Sequence, residues 1–149
     1  PHISTTLKFG WAHDFSTGAF SSPIGQADVG YIFSQTGQVH AGYVRTFDPV
    51  ASPVAVAQGT DRGYLDARFL LAGQLTARGN LSANWLDLRA ADGSKTFSYL
   101  HFVADLGADY EVSKWLSLSG GYTFNLNQSV MGLSSFNRSE VYLRAQFIY

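Results

Sequence analysis

His13, Asp14 and Ser16 are the nearest this sequence comes to a base, an orienting acid and a nucleophile in one short stretch. Such a set works only if the base reaches the hydroxyl while the carboxylate holds its far ring nitrogen. Apolar Ile3, Leu7, Phe9 and Trp11 alternate with Ser4, Thr6, Lys8 and Gly10 in the residues leading up to them. In a strand, successive side chains point to opposite faces. His13 is in phase with Trp11 and faces one way, and Asp14 faces the other. The alternation separates the pair, so no catalytic group is assigned. His2, His13, His40 and His101 fall on different segments or faces with no i, i+2 pair, and the chain has no cysteine. No metal or cofactor site is assigned either.

The charged residues on the polar phase offer different chemistry. Lys8, Asp28, Arg68, Asp105 and Arg144 lie on five different segments that share one pattern. The pattern is clearest at Leu116–Leu126. Leu116, Leu118, Gly120, Tyr122, Phe124 and Leu126 take one face, and Ser117, Ser119, Gly121, Thr123 and Asn125 the other. Period two is the signature of a strand with two different surroundings. It recurs around Val29, Ala41, Phe69, Ala83, Phe102 and Leu143, which makes eight strands in one domain, residues 1–149.

The connections alternate in length. Short turns are expected at Ser34–Gln38, Thr76–Asn80 and Val112–Trp115. Longer loops are expected at Ser16–Gly25, Asp48–Thr60, Ala90–Thr96 and Asn127–Arg138. The stretch Gln74–Ser82 is similar to Glu111–Ser119, and Phe33–Val39 is a weaker third copy; each reads as a hairpin across a short turn. Aromatics gather at both ends of the apolar face, with Trp11, Tyr43, Trp85 and Tyr122 toward the long loops and Tyr31, Tyr110, Trp115 and Phe147 toward the short turns.

Composition agrees. The chain is 46% hydrophobic and 15% aromatic but only 14% charged, where a soluble domain carries about 25% charged residues. A formal net charge of −1 supplies no basic field for nucleic acid. No apolar run is long enough for a membrane helix. Alternating segments with two aromatic bands and alternating short and long connections are the pattern of a membrane-spanning barrel. The expected fold is therefore all-β, an eight-stranded antiparallel up-and-down transmembrane β-barrel with short periplasmic turns and longer extracellular loops. Both termini would be periplasmic, and a leader preceding Pro1 is expected.

The last segment carries the most specific likeness. Val141, Leu143, Ala145, Phe147 and Tyr149 alternate outward and the run ends on an aromatic. This resembles the C-terminal signature of bacterial outer-membrane proteins, the strand read by the barrel-assembly machinery. The whole plan resembles the small eight-stranded barrels of the OmpA, OmpX and OmpW kind. The phrasing Val112–Ser113–Lys114–Trp115 followed by Leu116–Tyr122 is also similar to larger porin barrels, some linked to polysaccharide export. The resemblance implies an integral protein of the Gram-negative cell outer membrane, in contact with outer-membrane lipid and lipopolysaccharide. The His-x-Ser-Asn motif of the lipid A deacylase barrels and the paired acids of the protease barrels are missing from this sequence.

Function follows from how the interior is filled. Lys8, Asp28, Arg68, Asp105 and Arg144 lie at similar distances from the short-turn end and are expected to form one charged layer across the lumen. Eight strands leave room for little besides side chains, so the layer reads as a plug and not as an ion-selective pore. The expectation is a non-enzymatic barrel with an anchoring or interaction role. The alternative is the C-terminal strands of, or a subunit in, a larger porin or export barrel. Loop 48–60 and Val130, Met131 and Leu133 are apolar for segments facing water, which marks a possible contact surface for a partner protein.

Overall fold

The structure, a computed structural model, describes residues 2–13, 21–50, 57–90, 92, 94–129 and 135–147. Those residues form eight strands: β1 (His2–His13), β2 (Ser21–Ser34), β3 (Gly37–Pro49), β4 (Ala57–Ala72), β5 (Leu75–Arg89), β6 (Lys95–Ser113), β7 (Leu116–Ser129) and β8 (Phe136–Phe147). They make one antiparallel sheet in chain order, β1 to β8. No helix of the structure is long and apolar enough to cross a membrane. The strands are sustained by the alternation itself, with β-branched, aromatic and small residues recurring along them.

The ladder also fixes how the strands slide past one another. One continuous row of paired residues runs His2, Ile32, Gln38, Arg68, Arg78, Gly107, Gly121, Tyr142. In the β2–β3 hairpin the last regular pair before the turn, Ile32 with Gln38, lies on that row. In β4–β5 it is Leu70 with Thr76, two residues beyond Arg68. In β6–β7 it is Glu111 with Ser117, four beyond Gly107. The short turns therefore step down by one residue per strand. At about 3.3 Å per residue against about 4.8 Å between strands, that slide corresponds to a tilt of about 35°. Backbone bonds tie each turn to the next, longer hairpin, from Leu70 N–H to Thr36 O at 2.6 Å and from Glu111 N–H to Gln74 O at 2.9 Å.

The faces are those expected from the alternation. Leu65, Leu81, Leu106 and Leu118 are on one face, and Asp66, Asn80, Asp105 and Ser119 on the other. The polar face is the concave one, because its side chains meet across intervening strands: Tyr64 of β4 bonds Asp28 of β2, and Tyr142 of β8 meets Arg78 of β5. Among the described residues, the buried hydrophobic ones are Phe47 and Ala57. The ladder has no β1–β8 pairs among the described residues, and both edges are open, with Phe9 88% and Leu143 86% exposed.

The structure corrects the connections. The second short turn is at residues 73–74, not at Thr76–Asn80, which lies inside β5. Gly73 takes φ +42°, a left-handed conformation that glycine adopts without steric cost and that makes it the turning point. The likeness of Gln74–Ser82 to Glu111–Ser119 is accordingly not a structural repeat, since the third turn falls at residues 114–115. Strands also run into the expected loops. Asp48 and Pro49 pair with Gln58 and Ala57, and Asn127 pairs with Phe136. Cross-strand pairing at the sheet's end thus extends β3, β4, β7 and β8 into segments expected as loops.

Replacing Gly73 by alanine puts a Cβ on a left-handed residue, and the loss is expected to be about 1 kcal/mol. Urea unfolding should show the shift, while Gly63→Ala, whose added Cβ meets nothing within 4 Å, should leave stability nearly unchanged.

Candidate functional site

The concave face is organised by rings laid over glycines. Along the row Asp28, Gly42, Tyr64, the phenol of Tyr64 crosses the bare backbone of Gly42 and donates to Asp28 Oδ2 at 2.5 Å. A Cβ on Gly42 would stand 2.4 Å from that ring. Along the row Arg78, Gly107, Gly121, Tyr142, the phenol of Tyr142 lies over two glycines and meets the guanidinium of Arg78. A Cβ on Gly121 would stand 2.5 Å from its oxygen. His40 lies in the same way over Gly30 toward Ser4. Small residues in the alternation are thus the slots that let long side chains cross a strand.

Arg78 is the centre of the largest cluster. Its Nη1 is 3.2 Å from Asp105 Oδ1 and its Nε 3.3 Å from Asp109 Oδ2, one carboxylate on each side of the row. Its guanidinium also stands 5.6 Å from the centre of the Tyr142 ring. Asp105 accepts in addition from Thr123 Oγ1 at 2.5 Å and from Tyr142 Oη at 3.4 Å. Four strands, β5 to β8, therefore converge on one ion pair. A second group lies on the other side of the trough, where Asn80 donates to Asp66 and Arg62 stands 5.6 Å from the Tyr64 ring. Between them is a cleft of about 260 Å³ bordered by Gln38, His40, Asp66, Arg68, Arg78 and Asp105.

The five residues singled out from the sequence all lie on this concave face. Measured along the slide of the strands, Lys8, Asp28 and Arg144 share one height, with Arg68 about two residues nearer the turns and Asp105 about two nearer the loops. None of the five bonds another of the five. Asp28 and Asp105 are held by Tyr64 and Arg78. Lys8, Arg68 and Arg144 make no ion pair with a described residue, and Arg68 borders both the central cleft and a second one of about 460 Å³ beside the β2–β3 turn. Arg78, the hub, escaped the sequence reading because it fell inside the turn expected at Thr76–Asn80. Tyr64 and Tyr142 escaped it because contacts across two or three strands leave no mark on local spacing; the glycines opposite them were the available signal.

Val141, Leu143, Ala145 and Phe147 lie on the convex face of β8, with Phe147 stacked 6.3 Å from Trp115. Tyr149, Asp14, Ser16, Val130, Met131, Leu133 and residues 51–56 of the apolar loop lie outside the described residues. His13 is on the convex face with Trp11. Among the described residues no group of His, Cys, Asp or Glu is placed to hold a metal ion. On the β5–β6 connection, Asp92 accepts from Ser94 N–H at 2.9 Å and Ser94 Oγ at 2.6 Å, which holds its carboxyl below the usual carboxylate range. Compared with protein-family models, with curated proteins and with solved structures, the chain matches none.

If Arg78 anchors the four strands, Arg78→Met should cost about 1–2 kcal/mol, between an exposed and a buried pair, by leaving Asp105 and Asp109 uncompensated. A double-mutant cycle with Tyr142→Phe should give a coupling of about 0.5–2 kcal/mol. Gly121→Val should cost more than Tyr142→Phe, because its Cβ would meet both the Tyr142 oxygen at 2.5 Å and the Leu106 carbonyl oxygen at 2.7 Å. Equilibrium unfolding of the four variants checks all three.

Proposed function

We propose that this chain is an integral outer-membrane β-barrel of bacteria, non-enzymatic, with a lumen closed by its own side chains and an anchoring or contact role in the membrane. The observation that carries the reading is the inverted polarity of the sheet. Its concave face is a network of Asp, Arg, Asn, Tyr and Thr, while Leu, Phe, Val and Trp cover the convex face. With Phe47 and Ala57 as the buried hydrophobic residues, the fold has no water-excluding core to offset chain entropy. A convex face of this size left in water would far exceed the apolar patch of a few hundred Å² that soluble monomers tolerate. A lipid surround removes the difficulty, and the concave network supports a plug in preference to an aqueous pore.

Lipid also demands that the two sheet edges be satisfied, because unpaired backbone groups have no water to bond there. The slide of the strands supplies the way. Carried around eight strands at one residue each, the row that starts at His2 on β1 would return to β1 eight residues higher, so that in a closed wall Tyr142 of β8 would face Gly10. Leu143 would then face Phe9, and Arg144 would face Lys8. Tyr142 would thus have glycines on both flanking strands, Gly121 and Gly10. The tilt of about 35° is the one at which small barrels close. The second reading, a segment of a larger wall, draws on the same open edges: β1 and β8 would then take strands from elsewhere.

One cysteine pair separates the readings. Phe9→Cys with Leu143→Cys should form a disulfide within one chain in the folded, lipid-inserted protein, because facing residues bring Cα atoms about 5 Å apart. Phe9→Cys with Ala145→Cys, out of register, should not. The cross-linked chain should also migrate as a compact band that shifts on boiling. Links between chains only, with no heat-modifiable monomer, would favour the larger wall.

A further inference from the structure

Charge on the convex face is confined to one sector. Among the described residues its charged side chains are Arg45 on β3, Asp61 on β4, Asp87 and Arg89 on β5 and Lys95 at the start of β6. All five lie at the long-loop ends of neighbouring strands, directly beyond Tyr43, Trp85, Leu65 and Leu81. Three cations face two carboxylates. Arg45 Nη1 spends itself on Asp61 at 3.2 Å, and Lys95 Nζ on Asp87 at 2.7 Å. Arg89 makes no direct ion pair with a described residue, although it attracts Asp87 at longer range. It stands instead 5.2 Å from the centre of the Phe47 ring.

Phe47 is the platform for this arrangement. It crosses Gly59, where a Cβ would stand 2.9 Å from the ring edge, and lies 8% exposed beneath Arg89. The ring gives the guanidinium an aromatic neighbour, a cation–π contact that is stronger where water is excluded. The Nε groups of both Arg45 and Arg89 are covered and have no acceptor. A cation left in excess at the edge of an apolar, aromatic-bordered band fits an anion that sits at that depth. Phosphate matches guanidinium geometry and offers several acceptor oxygens at once.

Resting on the membrane reading above, we infer that Arg89 and Lys95, paired across β5 and β6, and Arg45, four residues lower along the sheet, form a binding surface for the phosphate groups of a lipid headgroup in the leaflet on the long-loop side. The lipid's chains would lie against the apolar band below, beside Tyr43 and Trp85, whose place fits the membrane interface. Asp61 and Asp87 orient the two outer cations and keep the empty site from repelling itself. The site asks for a phosphate carried by a lipid: the cluster alone, with two carboxylates in it, is a weak trap for a free anion.

The test uses the folded protein in neutral detergent, with bound lipid counted by native mass spectrometry. The probes are bis-phosphorylated lipid A, the same lipid without its phosphates, and inorganic phosphate. The phosphorylated lipid should be retained about tenfold better than the dephosphorylated one, a margin expected of charge-assisted bonds to phosphate. Arg45→Gln with Arg89→Gln should abolish that margin, Arg45→Lys with Arg89→Lys should keep most of it, and Arg68→Gln on the concave face should leave it unchanged. Inorganic phosphate should not displace the lipid. Equal retention of the two lipids, displacement by free phosphate, or an unchanged margin in the glutamine variant would overturn the site. Heat-modifiable migration is read on the same samples. Its absence in the wild-type chain would overturn the closed-barrel reading as well, whereas its presence beside a phosphate-blind protein would sink the site alone.

Discussion

Every strand in this protein depends on a backbone whose hydrogen bonds must be met by its neighbours. In water an unpaired edge is merely solvated; in hydrocarbon each orphaned group costs several kcal/mol. The ladder from β1 to β8 meets that demand continuously through the six interior strands and leaves it open at two edges. The slide of the strands bears on the same constraint, because it decides which residues the two edges would offer each other. Length, tilt and the stepped turns are therefore consequences of one accounting of N–H and C=O groups.

With the backbone satisfied by the sheet, side chains are free to divide between two surroundings. The concave side takes those that bond one another, and the convex side takes mostly apolar ones, with its ion pairs at the long-loop ends. Charges on the concave side are stabilised by partners placed across strands, such as Arg78 between Asp105 and Asp109. Removing one member strands the rest in a poorly hydrated trough. This is why such an interior resists change as stubbornly as an apolar core does, although the forces are different.

Much of this was legible from residue order. Alternation alone placed Leu65 and Asp66, Leu106 and Asp105, Leu118 and Ser119 on their faces, because the period of two is a property of any strand. Turn positions were less legible. The turn expected at Thr76–Asn80 lies at residues 73–74, where Gly73 carries the signal for a left-handed conformation. The Arg78 hub was lost with it. Strand ends were underestimated wherever Pro or Asn stood, since propensity at those positions is weaker than a pairing partner across the sheet. The convex-face cluster was within reach: Arg45 and Asp87 are in phase with Tyr43 and Trp85, and following the phase beyond the apolar band leads to them. Contacts that skip strands, as Tyr64 to Asp28, belong to the curvature of the sheet and are absent from any local pattern.

The rings over glycines have a consequence for fidelity of assembly. A hairpin that slips by two residues keeps every apolar side chain on its proper face and remakes its backbone bonds, so neither polarity nor the ladder can reject the error. The slots can. Displaced by two, Tyr142 would face Ser119 or Thr123 in place of Gly121, and Tyr64 would face His40 or Val44 in place of Gly42. Each substitute carries a side chain where the phenol must lie. The glycines thus act as a proofreading code, admitting one alignment of neighbouring strands among those that the alternation treats as equal.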